Sequence, residues 1–419
     1  MAFQQGLSGL NAASKSMETI GNNVANAGTV GFKKSQAQFA DVYASSLIGS
    51  GASPIGIGVK LARVAQQFSQ ANISGTSNPL DIAINGDGFF RMSMDGAITY
   101  TRNGQFLLNK DGNIENANGA LLTGYPVGAN GAISNGAPAP LRITNTALAP
   151  QPTTDYDVNL NLDSGKPVIG AVFDHTDPDT YSNQTSVGIY DSLGNSHVLS
   201  TFYVNKGPVA PLAAGEGNTW EVYATCDGVP IGYVPPAAPV PVSTITFSTG
   251  GVAMAYVPAA PVAAITLTNG AAPMSVGMNF GGTTQYALDF GVRDQTQDGY
   301  TAGNLVSFAL SPDGKIVGSY TNGQTNVLGQ VALASFPNPN GLTPQGDNQW
   351  VETAVSGPPL VGSPGNSGLG VVQSSAVEES NVDLTAELVA MITAQRIYQA
   401  NAQTIKTEDQ IMQTLVNLR

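Results

Sequence analysis

The 419-residue chain carries 16 Lys and Arg against 29 Asp and Glu, a formal net charge of -13, with 11% charged residues in all. No Lys/Arg cluster offers the basic footprint that a phosphate backbone requires, which excludes nucleic acid as a partner. One cysteine, Cys226, excludes an internal disulfide, and 49 glycines and 26 prolines favour turn-rich β structure over about two to four domains.

At the start, no basic residue precedes an apolar run, and Gln4, Gln5 and Ser8 interrupt any signal-peptide core, so export without a cleaved signal is expected. Phe3, Leu7, Leu10, Met17, Ile20 and Val24 recur at three- and four-residue steps and predict a helix over Phe3 to Val24. Asn22-Asn23-Val24-Ala25-Asn26-Ala27-Gly28 is its stop signal, because Asn and Gly tolerate the left-handed conformation that closes a helix. From Lys33 to about Asn72 the pattern is mixed and reads as a connecting segment, with a β-like Val59 to Val64. Leu80 to Ile84, Asn85-Gly86-Asp87-Gly88 and Phe89 to Met92 carry a hairpin signature. Asp95-Gly96, Asn103-Gly104 and Asp111-Gly112 repeat the turn chemistry in a β domain that starts near Ile73.

In the middle, Asp157 to Asp163 and Thr185 to Tyr203 alternate polar and apolar residues around the turn Asp191-Ser192-Leu193-Gly194-Asn195. Val229 to Pro261 is dense in Val, Ala and Pro and predicts loops and edge strands, since proline removes ladder donors. No apolar stretch reaches the roughly 20 residues that span a bilayer, so no membrane insertion is expected. Regular β returns at Leu305 to Leu310, Val317 to Tyr320 and Gln330 to Phe336, with Ser311-Pro312-Asp313-Gly314 and Asn322-Gly323 as turns.

Near the end, Gly362 to Gly370 is glycine-rich, and it and Gly49 to Gly58 read equally as hinges or as turns. Ser380 or Asp383 caps the last helix, and Glu387 complements its first turn. Leu384, Leu388, Met391, Tyr398, Ala402, Ile405 and Met412 repeat the apolar period of the first helix. A lone helix cannot bury such a stripe unaided, so the two ends pack on each other, on the body, or on other copies of the chain.

Catalytic signals are missing from the pattern. His175, His197 and Cys226 lack the spacing of a Cys/His metal site, and neither a Walker loop nor Gly-x-Ser-x-Gly occurs. Asp174, Asp177 and Asp179 lack the order of a calcium loop and read as an acidic surface loop; Cys226 reads as a small buried apolar residue. No catalytic, cofactor or metal residues are expected.

Three blocks carry a family resemblance: Asn22 to Asn26 through Gly31-Phe32-Lys33, then Asn78 to Phe90, then Ser380 to Leu384 with Gln395-Arg396, Tyr398-Gln399-Ala400-Asn401. Together they resemble the rod and hook proteins of the bacterial flagellar axis. The chain's length, its large middle and the segments Asp298-Gly299-Tyr300-Thr301-Ala302-Gly303, Tyr320 to Gly323 and Asn340-Gly341-Leu342 resemble the hook members of that family.

The resemblance implies an α+β, mainly β subunit with paired N- and C-terminal helices forming a coiled-coil-like inner layer and two β-rich domains nested outward. The expected division is 1–32 with 372–419 for the helices, 33–72 with 360–371 as connector, 73–145 with 291–359 as inner β domain, and 146–290 as outer β domain. Assembly residues are Phe3, Leu7, Leu10, Met17, Ile20, Asn22, Asn23, Val24, Asn26, Gly31 and Phe32 at one end, and the seven apolar residues of the last helix at the other. Gln399 and Gln403 are candidate lumen-facing residues. The implied product is a homopolymeric, curved, hollow tube outside the cell, attached to the basal body. It transmits torque from rod to filament as a universal joint and lets export substrates through. Distal rod protein, hook cap, hook–filament junction proteins and the export apparatus are the implied partners. A straight distal rod protein is the alternative within the family; an extracellular adhesin or surface-layer protein, or a cell-wall hydrolase, are alternatives from other classes.

Overall fold

The computed structural model describes residues 2–43, 56–128, 131–134, 136–144, 147–208, 215–232, 238–258 and 265–417. Among them, two long α-helices, α1 (Ala2–Ala25) and α2 (Leu384–Asn417), bracket a chain that is otherwise mainly strand. This is the mainly β, α+β class expected. Neither helix is long and apolar enough to cross a membrane. α2 begins behind Asp383, whose carboxylate accepts the amide protons of Thr385 and Ala386 at 2.9 and 3.2 Å and so satisfies two of the helix's unpaired donors.

Contacts divide the chain into two compact units. The first comprises Met1–Asn145, Ser307–Ser319 and Thr325–Arg419. Here the residues after α1 form a long antiparallel ribbon, Ser35–Tyr43 against Gly56–Gln66; the second strand contains the β-like Val59 to Val64, while the first was not expected. The glycines between 49 and 55 lie outside the described residues.

The Leu80 to Met92 hairpin is corrected by the strand pairing. Ile82–Asn85 pairs with Val371–Ser374, whereas Phe89–Met94 pairs with Ala97–Thr101 and joins the large sheet. Asn85 to Gly88 therefore links two sheets. Gly86 has φ +109 and lies so close to Gly370 that a Cβ would stand 2.9 Å from its Cα; close backbone approach, not a tight hairpin, explains the glycine. The true two-residue hairpin is Asp95-Gly96, with φ values of 50 and 88 and Met94 opposite Ala97.

Nor does 360–371 accompany the ribbon. Leu360–Gly362 pairs with Leu333–Ser335, and Gly370 N–H donates to Asp87 O, so this segment is stitched into the β sheet and is not a free hinge. The unit's apolar centre is an aromatic cluster of Phe89, Tyr100, Phe336 and Trp350 in edge-to-face pairs, with Phe68 packed against it.

The second unit comprises Thr146–Val306 and Tyr320–Gln324. A sheet in the order Asn183–Tyr190, Ser196–Gly207, Glu216–Cys226, Ser243–Ser248, Ala253–Pro258 shares one core with a smaller sheet built on Asp155–Asp163. Period-two alternation drives this: Tyr156, Val158, Leu160 and Leu162 point in, as do Leu199, Tyr203, Trp220, Val222, Ile245 and Phe247. The turn Asp191 to Asn195 joins the first two strands as expected.

Two expectations change here. Gly291–Gln297, expected in the inner domain, pairs antiparallel with Asp155–Asp163, and Gln151 and Tyr300 bridge just beyond, so the second unit runs past 290. Ser243–Ser248, within the Val/Ala/Pro-rich stretch, is a central strand because it is free of proline; the edge falls to Ala253–Pro258, which ends in one. Residues 233–237 and 259–264 lie outside the described part.

Candidate assembly interface

α1 and α2 run antiparallel: Gly6 lies beside Ile405, Gly9 beside Asn401, and Asn23 beside Glu387. Their contact is closer than the apolar pattern predicts. A Cβ on Gly6 would stand 3.0 Å from Ile405 Cγ1, and one on Gly9 2.6 Å from Asn401 Oδ1. The helix face that closes is Gly6, Gly9, Ala13, Ile20 and Asn23, one or two helical turns apart, and on α2 it is Glu387, Met391, Ala394, Tyr398, Ala402 and Ile405.

This seam includes some predicted assembly residues and turns others away. Ile20, Asn23, Gly31 and Phe32 are buried, while Leu10, Met17, Val24 and Asn26 are half-buried. On α2, Met391, Tyr398, Ala402 and Ile405 are half-buried against α1. Phe3 and Leu7 remain exposed at 52% and 45%, as do Leu384, Leu388 and Met412 at 48%, 48% and 62%. Val389, Ile392, Ile397 and Ile411 share that exposure. Asn22, Gln399 and Gln403 are also exposed.

Within the first unit, a polar joint fastens the helices to the segments beside them. Asn23 donates from Nδ2 to Ser35 O and to Glu387 Oε2, and accepts from Ser35 N–H through Oδ1. Lys34 pairs with Glu387 at 2.5 Å, and its amide donates to Asn381 Oδ1, whose Nδ2 donates to Gln67 O. Deeper in, Lys33 Nζ meets Glu378 Oε1 at 2.7 Å and Arg102 meets Glu378 Oε2 at 3.0 Å, all three side chains being essentially out of water. Burial pushes the Lys33 pKa down, against the pull of Glu378. Two cations about one carboxylate are tolerated because Lys33 also donates to Ser69 O and Arg102 to Gly86 O.

The end of α1 differs from expectation. Asn26 and Ala27 close the helix through bonds to Asn22, Asn23 and Val24 carbonyls, and none of Asn22, Asn23, Asn26 or Gly28 takes a positive φ. The left-handed residue is Gly31, φ +70, where a Cβ would stand 2.5 Å from Asn103 N. Its N–H donates to Glu378 O. Sequence reasoning saw Glu387 only as a first-turn acid and missed Glu378 and Arg102. It also missed Gly6 and Gly9, although two glycines three apart on one face of a helix are a legible sign of close packing.

Comparison with known proteins covers the chain end to end. The description "Flagella basal body rod protein" matches residues 3–33, and "Flagellar hook protein FlgE/F/G D1 domain" matches 83–160. "Flagellar basal body protein FlaE D2 domain" matches 159–300, and "Flagellar basal body rod FlgEFG protein C-terminal" matches 373–418. The flagellar hook protein FlgE of Escherichia coli strain K12 is 41% identical over 424 residues, with all of each chain covered. That of Borreliella burgdorferi is 31% identical over 457 residues, covering 100% of this chain and 99% of the relative. Among solved structures, Helicobacter pylori flagellar hook protein FlgE2 matches with a TM-score of 0.54 at 14% identity, over 73% of this chain and 100% of that one, a likeness of fold.

Proposed function

Since the chain belongs to the bacterial flagellar hook protein family, we propose that it is the structural subunit of a flagellar hook, polymerising into a curved, hollow tube that couples rod to filament. The observation that carries the reading is the glycine seam between α1 and α2. By closing on Gly6 and Gly9, the pair leaves Phe3, Leu7, Leu384, Leu388, Ile392 and Met412 half in water. Fully burying one such side chain contributes about 1.5–3 kcal/mol. Six that are already half covered gain together ~5–9 kcal/mol, comparable with the ~4–15 kcal/mol that a single association costs. A dimer is therefore marginal, whereas a lattice that contacts each helix pair on several sides persists.

Contacts that do not close generate a helical filament, and a bending one must lengthen and shorten some contacts each turn while keeping others. We assign the persistent contacts to the interlocking apolar side chains of the helices. The shallow ones fall to small, uncharged residues of the second unit such as Ser186, Gly188 and Ser200. Gln399 and Gln403 are assigned to the channel wall, where uncharged polar groups let unfolded export substrates pass. The extracellular site and contacts with distal rod, cap and junction proteins belong to the same reading.

Electron microscopy of the purified, polymerised chain tests it. Curved tubes are the expected result; straight tubes favour a distal rod protein, and absence of polymer rejects both.

A further inference from the structure

Strand pairing in the second unit gathers ligating side chains that the sequence scatters. Ser196–Gly207 lies antiparallel to Glu216–Cys226 with Leu199 opposite Cys226, which sets His197 beside the two-residue turn Asp227-Gly228. A nitrogen of His197, Cys226 Sγ and a carboxylate oxygen of Asp227 all fall within 4.8 Å of one another. We propose that His197, Cys226 and Asp227 form a site for a divalent transition-metal ion of the Zn2+ type, with a fourth position open to water.

The arrangement around the histidine resembles the support of a ligand more than a surface ion pair. One ring nitrogen, Nε2, lies 3.2 Å from Asp191 Oδ2, and that carboxylate is fully buried. Asp191 is itself held by Asn195 Nδ2 at 2.9 Å, Asn269 Nδ2 at 2.6 Å and the backbone amides of Leu193 and Asn195. A fixed acceptor on Nε2 sets the ring's orientation and leaves Nδ1 as the coordinating atom, the carboxylate–histidine–metal pattern. Asp227 Oδ1 accepts from Val198 N–H at 2.8 Å, while Oδ2 points at Nδ1 at 2.6 Å. A proton now bridges the place a cation would take.

The thiol is the independent observation. Cys226 is only 4% exposed and in no disulfide, yet its sulfur lies beside these two polar side chains. Metal–ligand bonds of about 2.0–2.3 Å at tetrahedral angles require ligand separations of roughly 3–4 Å, so shifts of about an ångström close the site. On ligation the Cys226 S–H and His197 Nδ1–H protons leave to solvent. Thiolate and carboxylate then neutralise the dication, which limits the cost of its burial. Sulfur, nitrogen and oxygen together suit Zn2+ and disfavour Mg2+ or Ca2+.

The test uses the intact chain under reducing conditions. Calorimetric titration with Zn2+ is expected to give one site per chain, and Co2+ a thiolate-to-metal charge-transfer band in the near ultraviolet. Cys226→Ser abolishes the band, Asp227→Asn weakens Zn2+ at least tenfold, and His175→Gln changes neither. Circular dichroism monitors the fold of each variant. Should Cys226→Ser lose its fold, Asp227→Asn decides, because its side chain is half exposed on a turn. Absence of saturable one-to-one binding, unchanged affinity in Asp227→Asn, or loss of binding in His175→Gln overturns the proposal.

Discussion

Lys33 Nζ stands 2.7 Å from Glu378 Oε1 with both side chains wholly removed from water, which ties the segment leaving α1 to the strand that precedes α2 across 345 residues of sequence. Glu378 also accepts from Ala71 N–H and from Arg102. Glu378→Gln leaves two buried cations facing a neutral amide, and removing one partner of a buried pair costs about 3–5 kcal/mol. Denaturant unfolding of the first unit is expected to shift by that amount; a change under ~1 kcal/mol would mean that water enters the site.

Gly6 and Gly9 separate two consequences of crowding. Gly6→Val drives its branches into Ile405 and is expected to cost the helix pair ~1–3 kcal/mol, read as faster amide exchange in α1 and α2. Gly9→Ala displaces only the Asn401 amide and gains about 1 kcal/mol of helix propensity, so its net effect on exchange is small. Equal effects of the two would contradict the seam.

The exposed apolar residues are expected to matter only between chains. Leu7→Gln with Leu388→Gln leaves the monomer's thermal midpoint within a degree or two, since neither side chain is in the seam, yet raises the concentration needed for polymerisation. Sedimentation of mixtures at graded concentration measures this. A monomer that unfolds early would place those leucines in its own core.

Asp298 links the second unit's stability to pH. Burial would raise its carboxyl pKa, but hydrogen bonds from Asp155 N–H and from the hydroxyl and N–H of Thr154 outweigh it and hold the value below the ordinary range. A lowered folded pKa contributes stability that is complete above the unfolded carboxylate value of about 4 and is lost as pH falls through the folded value. Thermal midpoints measured downward from pH 6 are expected to fall less steeply in Asp298→Asn than in the unaltered chain.

Gln399 and Gln403 carry the channel assignment. Gln399→Glu with Gln403→Glu is expected to leave tubes of normal appearance while impeding delivery of later subunits, counted as filament length per hook. Normal filaments on such hooks would remove both residues from the channel wall.

Much of the local structure was legible because it depends on near neighbours. The three- and four-residue apolar period placed both helices, Ser380 or Asp383 announced the start of α2, and Asp95-Gly96 and Asp191 to Asn195 announced their turns. Where partners are remote, the same signals misled: Asn85 to Gly88 reads as a hairpin, yet Gly86 answers to Gly370, and Gly31 answers to Asn103.

The amino-acid pattern by itself determined that this chain has two amphipathic ends around turn-rich β structure, since period and propensity are properties of a segment. Only the tertiary structure decided which face of each helix closes. An apolar stripe wide enough to serve two partners does not say which one it meets first, and here two glycines allow the backbones to approach and turn the large side chains outward. Tertiary structure likewise decided that Lys33, Arg102 and Glu378 form one buried cluster and that His197, Cys226 and Asp227 share one corner, because burial and strand register join residues that no spacing connects.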